Sequence, residues 1–545
     1  MPTRALIPAL LLLSLGAAAA PPPSPISAAR IKEHVRILSS DAFRGRGPTQ
    51  AGEAKTIDYL ARQFATAGLK PAGPNGSWFQ KVPLIRYDRG PVRIGAAVRG
   101  RPLELLLGRD VTVSSRILGR TQLADAPIVF GGYGVVAPEL GFNGYDGVDL
   151  RGKVVLVLAG DPDFEAGRDL GFGGRALTFA GRTGEKIAAA QARGAAAVIT
   201  IHETAAASYP WSQIQNGDPL PAFGLDEGGP LRSGFGLRGW IRREPAAELL
   251  RWAGLDYREL KRRAQSPAFR AVPVTGATLS ADFTTSASRV TSRNVVAMVP
   301  GTSRADETVL YGAHWDANGE NGFDPPRDRI RNGAVDNGVG TATLLEVARA
   351  FAVGSRPQRT ILFAGWTAEE KGLLGASWYA AHPLRPLETT AAVLNLDPHL
   401  ALGAARNLDL IGPGRTPLER DLARVAAARG LRLDPEVNSE AGWYYRSDHF
   451  AFAQKGVPTV YFRAGKDLMK GGLPSGEAIV EAYNERCYHQ TCDEFDARWD
   501  LAGAAQEGTV AYDLGREIAN SGRWPGWNVG SEYGKLREAS ARARR

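Results

Sequence analysis

The sequence has little cysteine and, beyond its first twenty residues, no apolar segment long enough to cross a membrane. Only two of its 545 residues are cysteine, and both lie in one short segment. The formal net charge of +9 is modest for this length, and no basic stripe with interleaved aromatic residues occurs. These absences argue against a membrane-spanning protein and against a nucleic-acid-binding surface. Internal repeats are also absent.

The length and composition indicate two soluble domains after processing. A chain of 545 residues exceeds one ordinary domain, and its apolar fraction of 44% is enough to fill sizeable cores. Residues 1–20 carry Arg4, an apolar run over 6–15 and alanines at 17–20, the pattern of a signal peptide. We therefore expect export to the periplasm or medium, with no stable membrane insertion after cleavage. The alternative is an uncleaved anchor.

The two cysteines, Cys487 and Cys492, enclose the short loop that contains His489. In an exported chain this spacing favours a disulfide. The alternative is a pair of zinc thiolates, but a four-residue gap is long for a chelating pair and the second pair such a site needs is missing.

The distribution of apolar runs predicts two α/β units. After residue 288, strand-like and helix-like segments alternate, which is typical of a mostly parallel or mixed sheet with helices on both faces. Residues 107–274 contain short apolar runs bounded by glycine and aspartate, which predict a smaller inserted α/β domain. The predicted segments are 26–106 and 288–525 for the main domain, 107–274 for the insert, and a basic tail at 526–545.

Candidate metal ligands follow several of the predicted strands. Singly, each has an ordinary explanation as a surface loop, a helix cap or an acidic helix start. Together, two histidines and four acids in this order fit a two-metal site in which one carboxylate bridges and one glutamate handles protons. Nitrogen and oxygen ligands suit zinc, with cobalt or manganese as substitutes. The candidates are His314, Asp336, Glu369, Glu370, Asp397 and His489, with Asp316 as a partner that orients His314.

These motifs resemble the co-catalytic dizinc aminopeptidases. The matching sequences are GAHWD, GAVDNGVG, TAEEKGLLG, NLD and a late YHQ…D, and residues 107–274 resemble a protease-associated domain. The resemblance implies that His314 and Asp397 hold one zinc, that Glu370 and His489 hold the other, and that Asp336 bridges them. It also implies that Glu369 is the general base and that the peptide bond after Asp336 is cis.

Two segments near the expected site bear on the shape of the substrate pocket. The family usually has an apolar residue after NLD, whereas this sequence has Pro398 and His399. A second loop offers Tyr444, Tyr445 and Arg446 as substrate or oxyanion contacts, although packed aromatic residues fit it equally well.

The expected function is that of an aminopeptidase acting on peptides. A carboxypeptidase or dipeptidase would use the same metal ligands and differ only in the substrate pocket. Basic residues there would bind a free carboxylate, and Arg446 and Lys466 are candidates, so this alternative stays open. Acyl transfer of the glutaminyl cyclase type is disfavoured, because those enzymes lack the full two-metal set. A non-catalytic binding protein is disfavoured because all five ligands are present.

Overall fold

The computed structural model describes residues 24–218, 220–231, 236–397 and 403–544. The predicted signal peptide and the Pro398–His399 pair therefore lie outside the described residues. Among the described residues, no helix combines the length and the apolar character needed to cross a bilayer.

Twenty-one strands are present in the described residues. They are β1 (Lys70–Pro71), β2 (Phe79–Arg89), β3 (Arg93–Val98), β4 (Arg101–Leu103), β5 (Val111–Ser114), β6 (Gly119–Phe130), β7 (Val136–Ala137), β8 (Phe142–Asn143), β9 (Val154–Leu158), β10 (Ala197–His202), β11 (Ala222–Leu225), β12 (Leu237–Arg242), β13 (Val272–Val299), β14 (Arg304–His314), β15 (Gly319–Glu320), β16 (Ile330–Arg331), β17 (Arg359–Trp366), β18 (Thr390–Asn395), β19 (Asn407–Leu410), β20 (Arg432–Pro435) and β21 (Thr459–Ala464).

Fourteen α-helices accompany them in the same part of the chain. They are α1 (Ala28–Leu38), α2 (Glu53–Thr66), α3 (Thr183–Gln191), α4 (Thr204–Ala207), α5 (Trp211–Gly217), α6 (Arg243–Trp252), α7 (Tyr257–Arg263), α8 (Gly340–Val353), α9 (Leu374–Ala381), α10 (Leu418–Ala428), α11 (His449–Ala453), α12 (Gly472–Arg486), α13 (Ala502–Asn520) and α14 (Gly534–Ala539).

The main domain is built on a mixed sheet with a parallel centre. Strands β17, β14, β18 and β21 run parallel to one another, while β13 and β19 join the two sides antiparallel. Helices α1, α2, α8 and α13 cover one face, and α9 and α11 cover the other. The predicted fold class is therefore confirmed.

The insert is a second sheet joined to the first through β13. The first half of this 28-residue strand pairs with β3 and β6 of the insert, and its last residues pair with β17 of the main domain. Strands β6, β9, β10 and β12 are parallel neighbours with their own apolar core. That core includes Ala96, Val98 and Leu103, so it begins before residue 107.

The C-terminal segment packs against the main domain. The buried Arg537 side chain donates a hydrogen bond to the Thr390 carbonyl at 3.0 Å, and Trp527 Nε1 donates to the Gly456 carbonyl at 2.9 Å. The predicted basic tail thus forms part of the surface that covers β18 and the loop before β21.

Candidate metal centre

The parallel sheet brings three of the motifs to one edge. His314 is the last residue of β14 and pairs in register with Trp366, the last residue of β17. Gly312 of β14 pairs with Asn395, the last residue of β18. Strands β14 and β17 end level, and β18 ends two residues earlier, so that Asp397 comes level with His314. The residues at these strand ends therefore meet at the carboxyl edge, where α/β sheets place their ligands.

The first group of candidate ligands is buried at the sheet edge. His314 Nε2 lies 3.3 Å from Asp336 Oδ1 and 3.7 Å from Asp397 Oδ1. One ligand atom from each of these residues lies within 4.8 Å of the other two. Burial lowers the pKa of His314, but Glu369, Asp336 and Asp397 outweigh it and raise the pKa well above its usual value.

The second group shares Asp336 with the first. His489 Nε2 lies 3.1 Å from Asp336 Oδ2 and 3.0 Å from Glu370 Oε2. The two carboxylate oxygens of Asp336 therefore face one imidazole each, which is the arrangement of a bridging ligand. Asp336 lies in the turn Ala334–Val339 with non-helical backbone angles, and its peptide bond to Asn337 is cis, as the resemblance implies.

The donor set fits two zinc ions. Each group offers one imidazole nitrogen, one terminal carboxylate and one oxygen of the shared Asp336. Glu370 Oε1 is buried and has no hydrogen-bond partner among the described residues. A buried carboxylate oxygen without a partner is costly unless a cation neutralises it. The residues therefore fit the metal that the resemblance implies.

Glu369 lies beside the cluster. Its Oε2 is 3.9 Å from His314 Nε2, and its backbone N–H donates to Asp316 Oδ1 at 3.1 Å. Burial, together with the nearby carboxylates of Asp448, Asp397 and Glu370, raises the pKa of Glu369 well above its usual value against the opposing effect of His314.

The Asp316 carboxylate accepts a hydrogen bond from the Glu369 backbone and forms none with His314. Its Oδ1 lies 3.8 Å from His314 Nδ1, beyond hydrogen-bond distance, whereas its backbone carbonyl lies 3.0 Å from that nitrogen. The predicted orienting carboxylate is therefore replaced by a carbonyl, because the turn after β14 directs the side chain toward the Glu369 backbone. Burial raises the pKa of Asp316 to about 7.

Two polar residues around the cluster were given no role from the sequence, although Asp493 ends the YHQ…D motif and Ser447 directly follows Arg446. Asp493 accepts hydrogen bonds from the Val335 and Asp336 backbone N–H groups at 2.9 and 3.2 Å, and burial raises its pKa to about 7. Ser447 donates its hydroxyl to Asp397 Oδ2. The nearness of Asp493 to His489 in sequence is the signal that would have suggested it.

The cysteines form the predicted disulfide. Cys487 and Cys492 are joined with an S–S distance of 2.10 Å, so they are not thiolate ligands. The loop that they close carries His489, whose φ of +60° is rare for a residue other than glycine. Tyr488 in the same loop stacks on the His489 imidazole with ring centres 3.8 Å apart.

Tyr444 is packed in the interior, whereas Tyr445 is largely buried but reaches the cleft beside the second ligand group. The Tyr444 hydroxyl lies 3.4 Å from Thr459 Oγ1 in the interior, and Arg415 donates to the Tyr445 hydroxyl at 3.0 Å. Tyr444 therefore does not reach the cleft, and the Tyr445 hydroxyl is occupied by Arg415. Tyr488, which sequence reasoning missed, is the tyrosine beside the cluster.

A cleft of about 660 Å³ lies between the insert and the second ligand group. Glu370 and His489 line it from the main domain, and Tyr209 and Gln213 line it from the insert. Gln213 Nε2 donates to the Tyr488 carbonyl at 2.7 Å, so the insert touches the ligand loop directly.

Arg446 lies in the same cleft, held between two aromatic rings. Its guanidinium carbon lies 4.5 Å from the ring centre of Trp443 and 5.5 Å from that of Tyr209. One of its nitrogens lies 3.5 Å from the Tyr488 hydroxyl, and it forms no ion pair with a carboxylate of the described residues. Lys466, in contrast, lies 3.6 Å from Asp409 Oδ2 and does not line the cleft.

Comparison with known families agrees with this geometry. Residues 294–512, which contain all five candidate ligands, match the model of Peptidase family M28. The segment that holds the candidate ligands therefore belongs to this family. Residues 124–229 match the PA domain and lie within the predicted insert. The family resemblance and the inserted domain predicted from the motifs are thus confirmed.

Curated relatives match the chain over part of their length. The leupeptin-inactivating enzyme 1 of Streptomyces exfoliatus is 28% identical over 251 residues, which cover 43% of this chain and 52% of that enzyme. Aminopeptidase NAALADL1 of Mus musculus is 36% identical over 135 residues, 24% of this chain and 16% of that protein. The chain therefore spans about half of the first relative and less of the second.

A solved structure extends the similarity of fold to nearly the whole chain. The aminopeptidase from Aneurinibacillus sp. strain AM-1 superposes with a TM-score of 0.53 at 18% identity, covering 93% of this chain and 97% of that one. At this identity the similarity concerns the fold.

Proposed function

We propose that this protein is a zinc-dependent exopeptidase, most specifically an aminopeptidase that releases N-terminal residues from peptides. The observation that carries the proposal is the shared Asp336, whose two oxygens face His314 and His489, with Glu369 beside them. This is the donor set of a two-metal hydrolase with a carboxylate positioned for proton transfer.

The metals would be held by His314 and Asp397 on one side, by Glu370 and His489 on the other, and by Asp336 between them. When bound, two zinc ions polarise a scissile carbonyl and make a bound water more acidic. Cobalt or manganese would substitute for zinc at such ligands.

The protein's own residues would move the proton and orient the substrate. Glu369, fixed through its backbone by Asp316, would accept a proton from the attacking water and return it to the departing amine. Tyr488 is the candidate hydroxyl donor to the developing oxyanion, because it stacks on His489 in the cleft.

The proposal also specifies the end of the peptide at which cleavage occurs. Similarity to the aminopeptidase NAALADL1 supports cleavage at the N-terminus. A carboxypeptidase or dipeptidase is the second candidate. Arg446 favours it, since a guanidinium held between two rings without a carboxylate partner in the described residues suits a substrate carboxylate.

A matched set of peptides tests both candidates. The purified protein would be incubated with one tripeptide in free, N-acetylated and C-amidated forms, with and without a chelator. An aminopeptidase cleaves the free and amidated forms and spares the acetylated one. Cleavage that needs a free carboxylate would identify the second candidate, and cleavage of acetylated peptide alone would contradict the aminopeptidase proposal.

Chelator and metal content separate catalysis from binding alone. The enzyme proposal expects near two zinc ions per chain and loss of cleavage with chelator. A protein that holds no metal and cleaves none of these peptides would instead be a binding protein.

We also propose export to the periplasm or medium. The Cys487–Cys492 disulfide supports this, because such bonds persist in oxidising compartments. N-terminal sequencing of the mature protein, together with cell fractionation, tests it. An intact N-terminus in the cytosolic fraction would contradict export.

A further inference from the structure

One buried arginine lies directly behind the candidate metal cluster. Arg46 has no exposed surface, although arginine is rarely fully buried. It ends a turn in which Arg44, Gly45 and Arg46 all have positive φ values, of 48°, 65° and 51°. Gly45 is required there, because a Cβ atom would lie 2.6 Å from the Arg331 carbonyl oxygen. The chain therefore adopts an unusual local conformation at the point where it buries this guanidinium.

The guanidinium of Arg46 binds the two loops that carry His314 and Asp336. Its Nε donates to the Trp315 carbonyl at 2.9 Å, immediately after His314. Its Nη1 and Nη2 each donate at 2.7 Å to the carbonyls of Asn332 and Gly333, shortly before Asp336.

A further hydrogen bond anchors the same side chain to the first helix. Arg46 Nη1 also donates to the carbonyl of Leu38, the last residue of α1, at 2.9 Å. A rigid, planar fork of N–H donors is what allows one side chain to bind four carbonyls from three segments. A lysine, with three donors on a single nitrogen, lacks that reach.

The charge of Arg46 suits its surroundings. Burial lowers its pKa to about 10, against the opposing influence of Asp493, Asp316, Asp336 and Glu370. The side chain therefore remains positive at neutral pH, next to a cluster rich in carboxylates. A buried charge of this kind is retained only where its hydrogen bonds and counter-charges are in place.

We propose that Arg46 is a positioning residue for the metal centre, which fixes the His314 loop relative to the Asp336 loop. The two ligands that must reach the same cation come from different segments, and Arg46 is hydrogen-bonded to both. The proposal rests on the metal centre proposed above. Arg46 lies behind the ligands and does not line the cleft, so its effect on substrate would act through the ligands.

The test compares Arg46→Lys and Arg46→Met with Arg359→Lys. Arg359 is a matched control, since it is also fully buried and donates to the Ile518 and Arg523 carbonyls, but outside the metal cluster. Zinc affinity would be measured by competition with a chelator on protein shown to be folded by circular dichroism. The cobalt-substituted absorption spectrum would report ligand geometry.

We expect zinc affinity to fall about 10- to 100-fold in both Arg46 variants, the usual effect of losing a partner that orients metal ligands. The cobalt spectrum should change as well, while Arg359→Lys keeps the affinity and spectrum of the wild type. If Arg46→Met does not fold, Arg46→Lys alone decides.

Unchanged affinity and spectrum in Arg46→Lys would overturn the positioning role. Equal losses in Arg359→Lys would overturn it too, because the effect would then follow from general destabilisation. A wild-type protein that binds no metal would instead refute the proposed function, so the two failures are distinguishable.

Discussion

The two halves of the proposed metal centre are built differently although they share Asp336. On one side, His314 and Asp397 come directly from the ends of β14 and β18, and the His314 side chain is 1% exposed. On the other side, His489 lies in a disulfide-closed loop, and its side chain is 29% exposed toward the cleft. The central sheet fixes the first half, whereas local covalent and hydrogen-bond constraints fix the second.

For the two cations proposed above, this difference predicts unequal affinity. Ligands on buried strand ends are held by the packing of the whole core, so binding there requires little further ordering. The loop around His489 is held by the disulfide, by Asp493 and by the contact between Gln213 and Tyr488. We therefore expect the His314 side to bind its cation more tightly and the His489 side to exchange its cation more readily.

The largest effect is expected from the residue that belongs to both halves. Replacing Asp336 with alanine removes one oxygen ligand from each cation and leaves His314 and His489 without their shared partner. Metal content should fall from near two ions per chain to near zero, and peptide cleavage should be lost. Metal analysis after gel filtration checks this. Retention of one tightly bound ion would show that the halves are independent and that Asp336 does not bridge.

The next largest effect is expected from the residue proposed to transfer the proton, which binds neither cation. Glu369→Gln removes the proposed base but no ligand, so turnover should fall about 10²- to 10⁴-fold. Zinc content should stay near that of the wild type. Glu440→Gln is a matched control, because Glu440 lines the same cleft but pairs with Arg175 at 2.8 Å, and it should have little effect. Full activity of Glu369→Gln would remove Glu369 from the mechanism.

The same contrast explains what could be predicted from the sequence. His314, Glu370 and Asp397 were predictable because alternating strands and helices give a parallel sheet whose carboxyl edge collects the residues that follow each strand. Asp336 and His489 joined them through the order of ligand types along the chain, and only the family motifs assigned their roles as bridging and terminal ligands. Their loops meet the sheet edge through contacts between distant segments, such as the one made by Asp493.

Side-chain directions in turns were the part that could not be predicted. Asp316 was expected to orient His314 with its carboxylate, yet it uses its carbonyl, because the turn after β14 points the side chain elsewhere. Tyr444 and Tyr488 show the same limit. Both are tyrosines in irregular segments, where no periodicity distinguishes the buried side from the side facing the cleft. Arg46 left no sequence signal, since its partners are backbone carbonyls.

A comparison of the two histidines tests the inequality directly. His489→Ala should leave one tightly bound cation on the His314 side, with turnover strongly reduced because the second cation is lost. His314→Ala should lose the tighter cation and also lower the midpoint of thermal unfolding, because buried Asp336 and Asp397 lose a partner. Titration of each apo-variant with zinc, followed by calorimetry, measures the remaining site. Equal residual affinities in the two variants would contradict the assignment of tight and exchangeable halves.

The smallest effect is expected from removing the disulfide that closes the His489 loop. In the double variant Cys487→Ser/Cys492→Ser, His489 and Glu370 remain, but the loop gains conformational freedom that zinc binding must remove. For so short a loop the constraint is about 2 kcal/mol, which sets the upper limit on the loss of binding free energy. Only the weaker of the two zinc affinities should change, so the tighter site is the internal control in the same titration. Equal weakening at both sites would mean that the disulfide stabilises the whole domain, and the two halves would then not be separable in the way their burial indicates.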